Sequence, residues 1–308
     1  MSRPPHQHKP PMLDGVSASC VALPHGPWPR LIDFLGERLP KVGMDEWQQR
    51  MAQNRVLDEQ GVPQASDAPY RPGTRIYYYR ELETEALIPF EEEVLYQDEH
   101  LLVADKPHFL PVTPSGRYVQ QTLLVRLKRR TGLEHLSPIH RIDRETAGLV
   151  LFSLRPQDRG AYQALFREQV VDKDYEAIAP LRPDLPLPAV HRSRIEADEQ
   201  FFRQREVPGA PNSETQIALL EARGTLARYR LRPRSGKTHQ LRVHMDALGR
   251  PIVGDLFYPE VVHGPGPAQE DWSRPLQLLA RGIRFSDPVT GALRQFESRR
   301  QLVWPADA

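Results

Sequence analysis

The stretch 138-PIHRIDRETAGLVLF-152 constrains the fold most, because a charged cluster runs straight into an unbroken apolar segment. Residues 149-LVLFSL-154 lack polar alternation, as expected of a strand covered on both faces. Asp143 thus stands just ahead of a buried strand, with Arg141 and Arg144 beside it. It can be an ion-pair member, a base of the kinase type, or a nucleophile. In the kinase loop the aspartate follows the arginine directly. Here Ile142 intervenes, and neither G-x-G-x-x-G nor D-F-G accompanies it. The kinase reading is set aside on that ground.

A chain of 308 residues, 39% hydrophobic and 26% charged, has room for one large domain and a smaller one. No apolar run approaches the roughly 18 residues needed to cross a bilayer. The N-terminal MSRPPHQHKPPMLDG has no apolar core of a signal peptide. Cys20 is the sole cysteine, which excludes internal disulfides and multi-cysteine zinc sites. A cytoplasmic location is expected. The net charge of +1 conceals segregation: residues 81–99 carry eight acidic side chains and no Lys or Arg, while residues 223–250 carry eight basic ones against Asp246. Such a split suggests a basic face for a polyanion, or a solvated arginine-rich surface.

Residues 1–27, rich in Pro, His, Gly and Ser without periodicity, read as a flexible tail. Residues 28–80 read as a small accessory domain. Leu31, Ile32, Leu35 and Leu39 share one helical face, and 45-DEWQQRMAQNR-55 forms a second helix with Asp45 as its N-cap. A hairpin at 55-RVLDEQGVP-63 and a turn at 72-PGT-74 complete an arrangement that resembles, in degenerate form, the ribosomal-S-four-like RNA-binding module; a plain helical cap is the alternative. Residues 81–93 read as an acidic linker and 94–304 as the larger domain. In that domain two strands flank a Gln-Asp-Glu turn within 94–107, a basic helix spans 120–132 and a helix spans 157–169. Strands follow at 174–179, 214–222 and 225–232, then a helix from Thr238 to Gly249 and a final strand pair at 276–285 and 292–298. The mixed order predicts an α+β fold, with a large mixed, mostly antiparallel sheet flanked by helices, beside a small N-terminal α/β domain.

His239 and His244 are five residues apart with no glutamate between them, which does not match H-E-x-x-H, so both read as hydrogen-bonding histidines. The segment 234-RSGKTHQ-240 lacks the first glycine of a phosphate loop. What remains is an ordered set: 140-HRIDRETAG-148, 173-KDYEA-177, 235-SGKTHQLRVHM-245, 254-GDLFY-258 and 277-QLLARGIRF-285, with 101-LLVADKPHFLPVTPSG-116 upstream. Together these resemble the RluA family of pseudouridine synthases over roughly residues 90–300. Ala147, Ser235, 279-LAR-281 and Val112-Thr113 depart from the usual residues without removing an obvious chemical group.

The resemblance implies an isomerase that turns uridine into pseudouridine in RNA without cofactor or metal. Such a reaction needs a carboxylate, a pocket for the detached base and an acid–base group for the carbon proton. The resemblance assigns the carboxylate to Asp143. A buried carboxylate stays ionised only beside a cation, and the resemblance supplies Arg242, 99 residues away. Tyr175 would stack on the base or act on its carbon proton, and Leu279 would close the pocket. Arg141 would fill the space left by the flipped uridine or hold a phosphate, while Lys237, His239 and Gln240 would bind substrate. Lys128, Arg129 and Arg130 could grip the backbone. The expected partner is ribosomal or transfer RNA, ribosomal favoured, met by a monomer away from any membrane. A non-catalytic RNA-binding or ribosome-assembly protein retaining the fold is the alternative.

Overall fold

A computed structural model describes residues 10–40, 42–80, 85–200, 202–262 and 271–305. The described chain forms two compact units.

The first comprises Met1–Glu85 with Gly116–Gln120 and Val125–Glu134. Its elements are β1 (Ser19–Ala22), α1 (Leu31–Arg38), α2 (Met44–Ala52), β2 (Val56–Leu57) and β3 (Arg75–Tyr78). The sheet order is β1-β3-β2, all antiparallel. Leu31, Ile32, Phe34 and Leu35 from α1 meet Trp47 and Met51 from α2 in one apolar cluster. The chain before residue 28 is not all tail, since β1 pairs along its whole length with β3; residues 1–9 lie outside the described ones. Gly43, not Asp45, caps α2, and Asp45 occupies its first turn, where a carboxylate favours the helix dipole. Of the segment read as an acidic linker, residues 81–84 lie outside the described residues. Glu85 accepts the Val119 and Gln120 amides at 2.9 Å each. Lys128 is buried and donates to Ser17 Oγ at 2.9 Å, and Arg129 bonds the Gln120 side chain. Lys128 therefore helps hold this unit together instead of presenting charge to RNA.

The second unit holds β4 (Glu93–Gln97), β5 (Leu101–Lys106), the start of α3 (Leu123–Thr131), β6 (Ser137–Pro138), β7 (Ala147–Ser153), α4 (Arg159–Arg167) and β8 (Asp172–Pro180). It continues with β9 (Val190–Ala197), β10 (Gln204–Val207), β11 (Ser213–Arg223), β12 (Leu226–Pro233), α5 (Gln240–Ala247), β13 (Leu278–Ser286) and β14 (Leu293–Glu297). Eleven strands form one sheet, ordered β10-β9-β11-β12-β8-β13-β7-β5-β4, with β14 on β13 and β6 on β7. Its pairings are antiparallel except β13 with β7, so the predicted mixed α+β architecture holds. No helix among the described residues is long and apolar enough to cross a membrane.

Strand β7 lies between β13 and β5, and all seven of its residues are buried. Leu149, Val150, Leu151 and Phe152 each contribute about 1.5–3 kcal/mol relative to exposure. Tyr162 of α4 packs with Leu149 and Leu151, and its hydroxyl donates to the buried Asp287 carboxylate at 3.1 Å. A glycine is required at position 148: its φ is +110°, and a Cβ there would lie 2.3 Å from the Ala280 carbonyl oxygen. That close approach lets β13 run beside β7 and fixes the loop 139–146 at the strand's entrance. Strands β9 and β10 were not expected from sequence. VHRSRIEA and QREV are polar on both faces, and their pairing at the end of the sheet gives no apolar alternation to read.

Candidate active site

Four elements converge on a cavity of about 390 Å³. The β6–β7 loop brings Arg141 and Asp143, β8 brings Lys173 and Tyr175, α5 with its preceding loop brings His239 and Arg242, and β13 brings Leu278. Residues distant in sequence thus meet because β8, β13 and β7 are neighbours in the sheet.

Asp143 is one-quarter exposed, and its Oδ2 lies 3.5 Å from Arg242 Nη1. This long contact sets Arg242 beside Asp143, though Asp143 is not the main partner of Arg242. Arg242 Nε and Nη2 instead grip Asp255 in a fork, at 2.7 Å each. Asp255 is wholly buried and also accepts the Phe257 and Tyr258 amides through Oδ1. Burial works against the Arg242 charge, yet the Asp255 carboxylate holds it firmly protonated. The third nitrogen is left to face Asp143 and, at 4.0 Å, Glu145. Gly254 makes this possible: its φ is +79°, and a Cβ would stand 2.3 Å from the Pro275 carbonyl oxygen. Asp255 lies in the quoted segment 254-GDLFY-258, but no spacing rule links it to a residue 13 positions earlier.

Tyr175 opens onto the same cavity, with no hydrogen-bond partner for its hydroxyl among the described residues. Burial, reinforced by Asp143, pushes its pKa well above the ordinary tyrosine value, so the hydroxyl keeps its proton at neutral pH. Lys173, not singled out from sequence, donates to the Ser235 carbonyl at 2.8 Å, and burial pulls its pKa down to about 8. His140 is held neutral: its Nε2 accepts the Leu151 amide, its ring stacks on Phe166 at 4.5 Å, and burial lowers its pKa to about 3.

Two expected substrate contacts change. Leu278 lines the cavity, whereas Leu279 is fully buried in a separate cluster with Ala147, Ile178 and Leu302. Successive strand residues point to opposite faces, so a shift of one position moves the pocket-closing role to Leu278. Gln240 is bound entirely by protein. Its oxygen accepts from Ser235 Oγ and the Lys237 amide, and its nitrogen donates to the Glu214 carbonyl and Thr215 Oγ1. It shapes the loop 235–239 and has no donor or acceptor left for substrate. Arg141 and Lys237 are exposed at the cavity's edge.

Among the described residues one set, His191, Glu206 and His244, could hold a metal ion. Its hydrogen bonds favour another state. Ser213 Oγ donates its proton to the Ser193 carbonyl, so the His244 ring donates to it from Nε2 and accepts the Thr215 hydroxyl proton on Nδ1 at 2.9 Å. A metal bound there would have to displace the Nε2 proton. The His244 ring serves as a hydrogen-bonding strut.

Beside the cavity lies a wider groove of about 720 Å³ containing Arg230, Arg232, Arg281 and Arg284. Most of its charge is matched. Arg230 and Arg232 flank Asp174 at 3.4 and 3.3 Å, Arg281 holds Glu176 at 3.0 Å, and Arg284 holds Asp172 at 2.9 Å. Three arginines of the basic stretch 223–250, Arg228, Arg230 and Arg232, thus face the β8 carboxylates Asp174 and Glu176, which the sequence count could not register.

The chain has counterparts among known proteins. Residues 100–247 match the family model described as RNA pseudouridylate synthase. The chain is 31% identical over 247 residues to an uncharacterized RNA pseudouridine synthase of Synechocystis sp., covering 77% of this chain and 80% of the relative. It is 30% identical over 220 residues to a protein of Vibrio cholerae named tRNA pseudouridine synthase C, covering 64% and 86%. A solved structure of human RNA pseudouridylate synthase domain containing 1 shares the fold, with a TM-score of 0.55 and 22% identity over 73% of this chain and 95% of that one.

Proposed function

Because the chain belongs to the RNA pseudouridylate synthase family, an isomerase family acting on RNA, we propose that Asp143 is the carboxylate through which it converts uridine to pseudouridine. The observation that carries this is Asp143 itself. It is partly exposed in the cavity, with a single long contact to a cation held in place by Asp255. An ionised carboxylate with free lone pairs is what attack on the base, attack on the sugar, or removal of a sugar proton requires in common.

Arg242 acts in this reading as the fixed counter-charge, poised by Asp255 so that no side chain must reorganise as charge moves on Asp143. Tyr175, retaining its proton, stacks on the base. Leu278 walls the base in. The uridine has to leave its stack at a cost of a few kcal/mol, and Arg141 at the rim fills the gap or pairs with a neighbouring phosphate. Lys237, also exposed, supplies a second phosphate contact, so binding weakens with salt.

Ribosomal RNA is our first expectation for the target, resting on the N-terminal unit's likeness in element order to an S-four-like module. A transfer RNA target is favoured by the Vibrio relative named for tRNA. A monomeric enzyme in the cytoplasm completes the reading. Mapping pseudouridine in total RNA from cells with and without the gene tests it: loss of one or a few sites in ribosomal RNA fits the first target, and loss in transfer RNA only replaces it. An unchanged map in all RNA contradicts the enzymatic reading.

A further inference from the structure

The histidines of the second unit discussed above differ in how the protein engages their ring nitrogens. His244 uses both, and His140 is held by a backbone amide and a stacked ring. His239 differs. The Tyr258 hydroxyl accepts the Gln204 amide at 2.8 Å and donates its only proton to the Gln204 carbonyl at 3.1 Å. The 3.2 Å contact between that hydroxyl and His239 Nδ1 therefore requires the imidazole to donate. The proton is on Nδ1, and Nε2 is a bare acceptor with no partner among the described residues.

Three further facts give that nitrogen a purpose. His239 lines the cavity that holds Asp143 and Tyr175. Its ring is wedged between Phe257 and Tyr258, with both centroids 5.9 Å away, so it is not free to turn. Its backbone sits at φ +54°, a conformation that non-glycine residues adopt at a cost and that clusters at functional sites. Burial also keeps the ring below the ordinary histidine pKa, so Nε2 remains unprotonated at neutral pH. A histidine with only a packing role would leave neither an open acceptor nor a strained backbone facing a polar cavity.

We propose that His239 Nε2 accepts a hydrogen bond from the target nucleotide and so helps select uridine in the Asp143 cavity. This assignment rests on the synthase reading. A uridine within an RNA chain offers two such donors, the N3–H of the base and the 2′-hydroxyl of the ribose. Cytidine lacks the N3–H, so a base-side contact would also discriminate between the two pyrimidines.

The test compares RNA binding by Asp143→Asn protein with and without His239→Phe, which keeps a flat ring and removes the acceptor. Three otherwise identical RNAs are used, carrying uridine, 2′-deoxyuridine or 3-deazauridine at the target position. His239→Phe is expected to weaken binding of the uridine RNA about 3- to 10-fold, the net worth of one hydrogen bond. For the one RNA lacking the matching donor the difference falls below about twofold, which identifies the donor. His239→Gln, which retains an acceptor, keeps a measurable preference for the uridine RNA. Equal weakening on all three RNAs, no weakening on any, or a glutamine variant indistinguishable from phenylalanine overturns the assignment. Wild-type turnover is measured alongside: turnover without a His239-dependent preference sinks this assignment alone, and no turnover on any RNA sinks the synthase reading.

Discussion

Two concave regions lie side by side on the second unit and share Gln169, Lys173 and Pro233, yet they are chemically opposite. The arginine groove is nearly twice the volume and carries more charge. Its charges, however, are mostly engaged with one another, Asp174 between two arginines and Glu176 with Arg281. The Asp143 cavity is smaller and holds fewer charges, but Asp143, Tyr175 and His239 each keep an open valence there. Ion pairs in the groove contribute to the sheet's cohesion, whereas groups with open hydrogen-bonding capacity in the cavity are available to a substrate. Size and formal charge single out the groove; free hydrogen-bonding groups single out the cavity that we propose as the active site.

That contrast can be broken experimentally. After Asp143 itself, the largest effect is expected at Arg242. Arg242→Gln removes the counter-charge and should lower the single-turnover rate about 10³-fold. Asp255→Asn keeps the arginine but loosens the fork that aims it, and a drop of about 10²-fold in the same assay is expected. It should also lower stability by about 3 kcal/mol in urea unfolding, because a buried cation loses its charged partner. In the groove the balance reverses. Arg281 donates to Glu176 and to the Ser298 and Arg300 carbonyls, so Arg281→Met should destabilise the fold by about 2 kcal/mol with turnover within threefold of wild type. Arg232→Gln, at a half-exposed side chain, should alter stability by less than about 1 kcal/mol and turnover by less than twofold. A large rate loss from either groove variant would erase the distinction.

A smaller prediction follows from the buried histidines. His140 and His244 have folded pKa values of about 3, against about 6.5 for a free imidazole. Below pH 6.5 the unfolded chain binds these protons and the folded one does not, so stability falls as pH drops from 6.5 toward 3. Urea unfolding across that range should give a shallower decline for His244→Asn than for the wild type.

The buried strands β7, β8, β12 and β13 were legible because they carry apolar signals. The same holds for the clustering of Asp143, Tyr175 and Arg242, carried by an ordered set of motifs. What sequence could not provide was pairing. Arg242 sits in a visible motif, but only the fold reveals that Asp255 takes two of its nitrogens. The eight basic residues of 223–250 looked like a free basic face until β8 set Asp174 and Glu176 among them. Leu278 and Leu279 differ by one position, and a sheet register decides which faces the pocket. Gln240 looked like a substrate contact because nothing in its neighbours tells that its amide is fully engaged.

The central claim is that Asp143 carries the chemistry. RNA tritiated at uracil carbon 5 is incubated with wild-type protein and with Asp143→Asn, and tritium released to water is counted. The account predicts release by the wild type and a rate at least about 10⁴-fold lower for the variant. Equal release by both proteins, or none by the wild type from any cellular RNA, would contradict it.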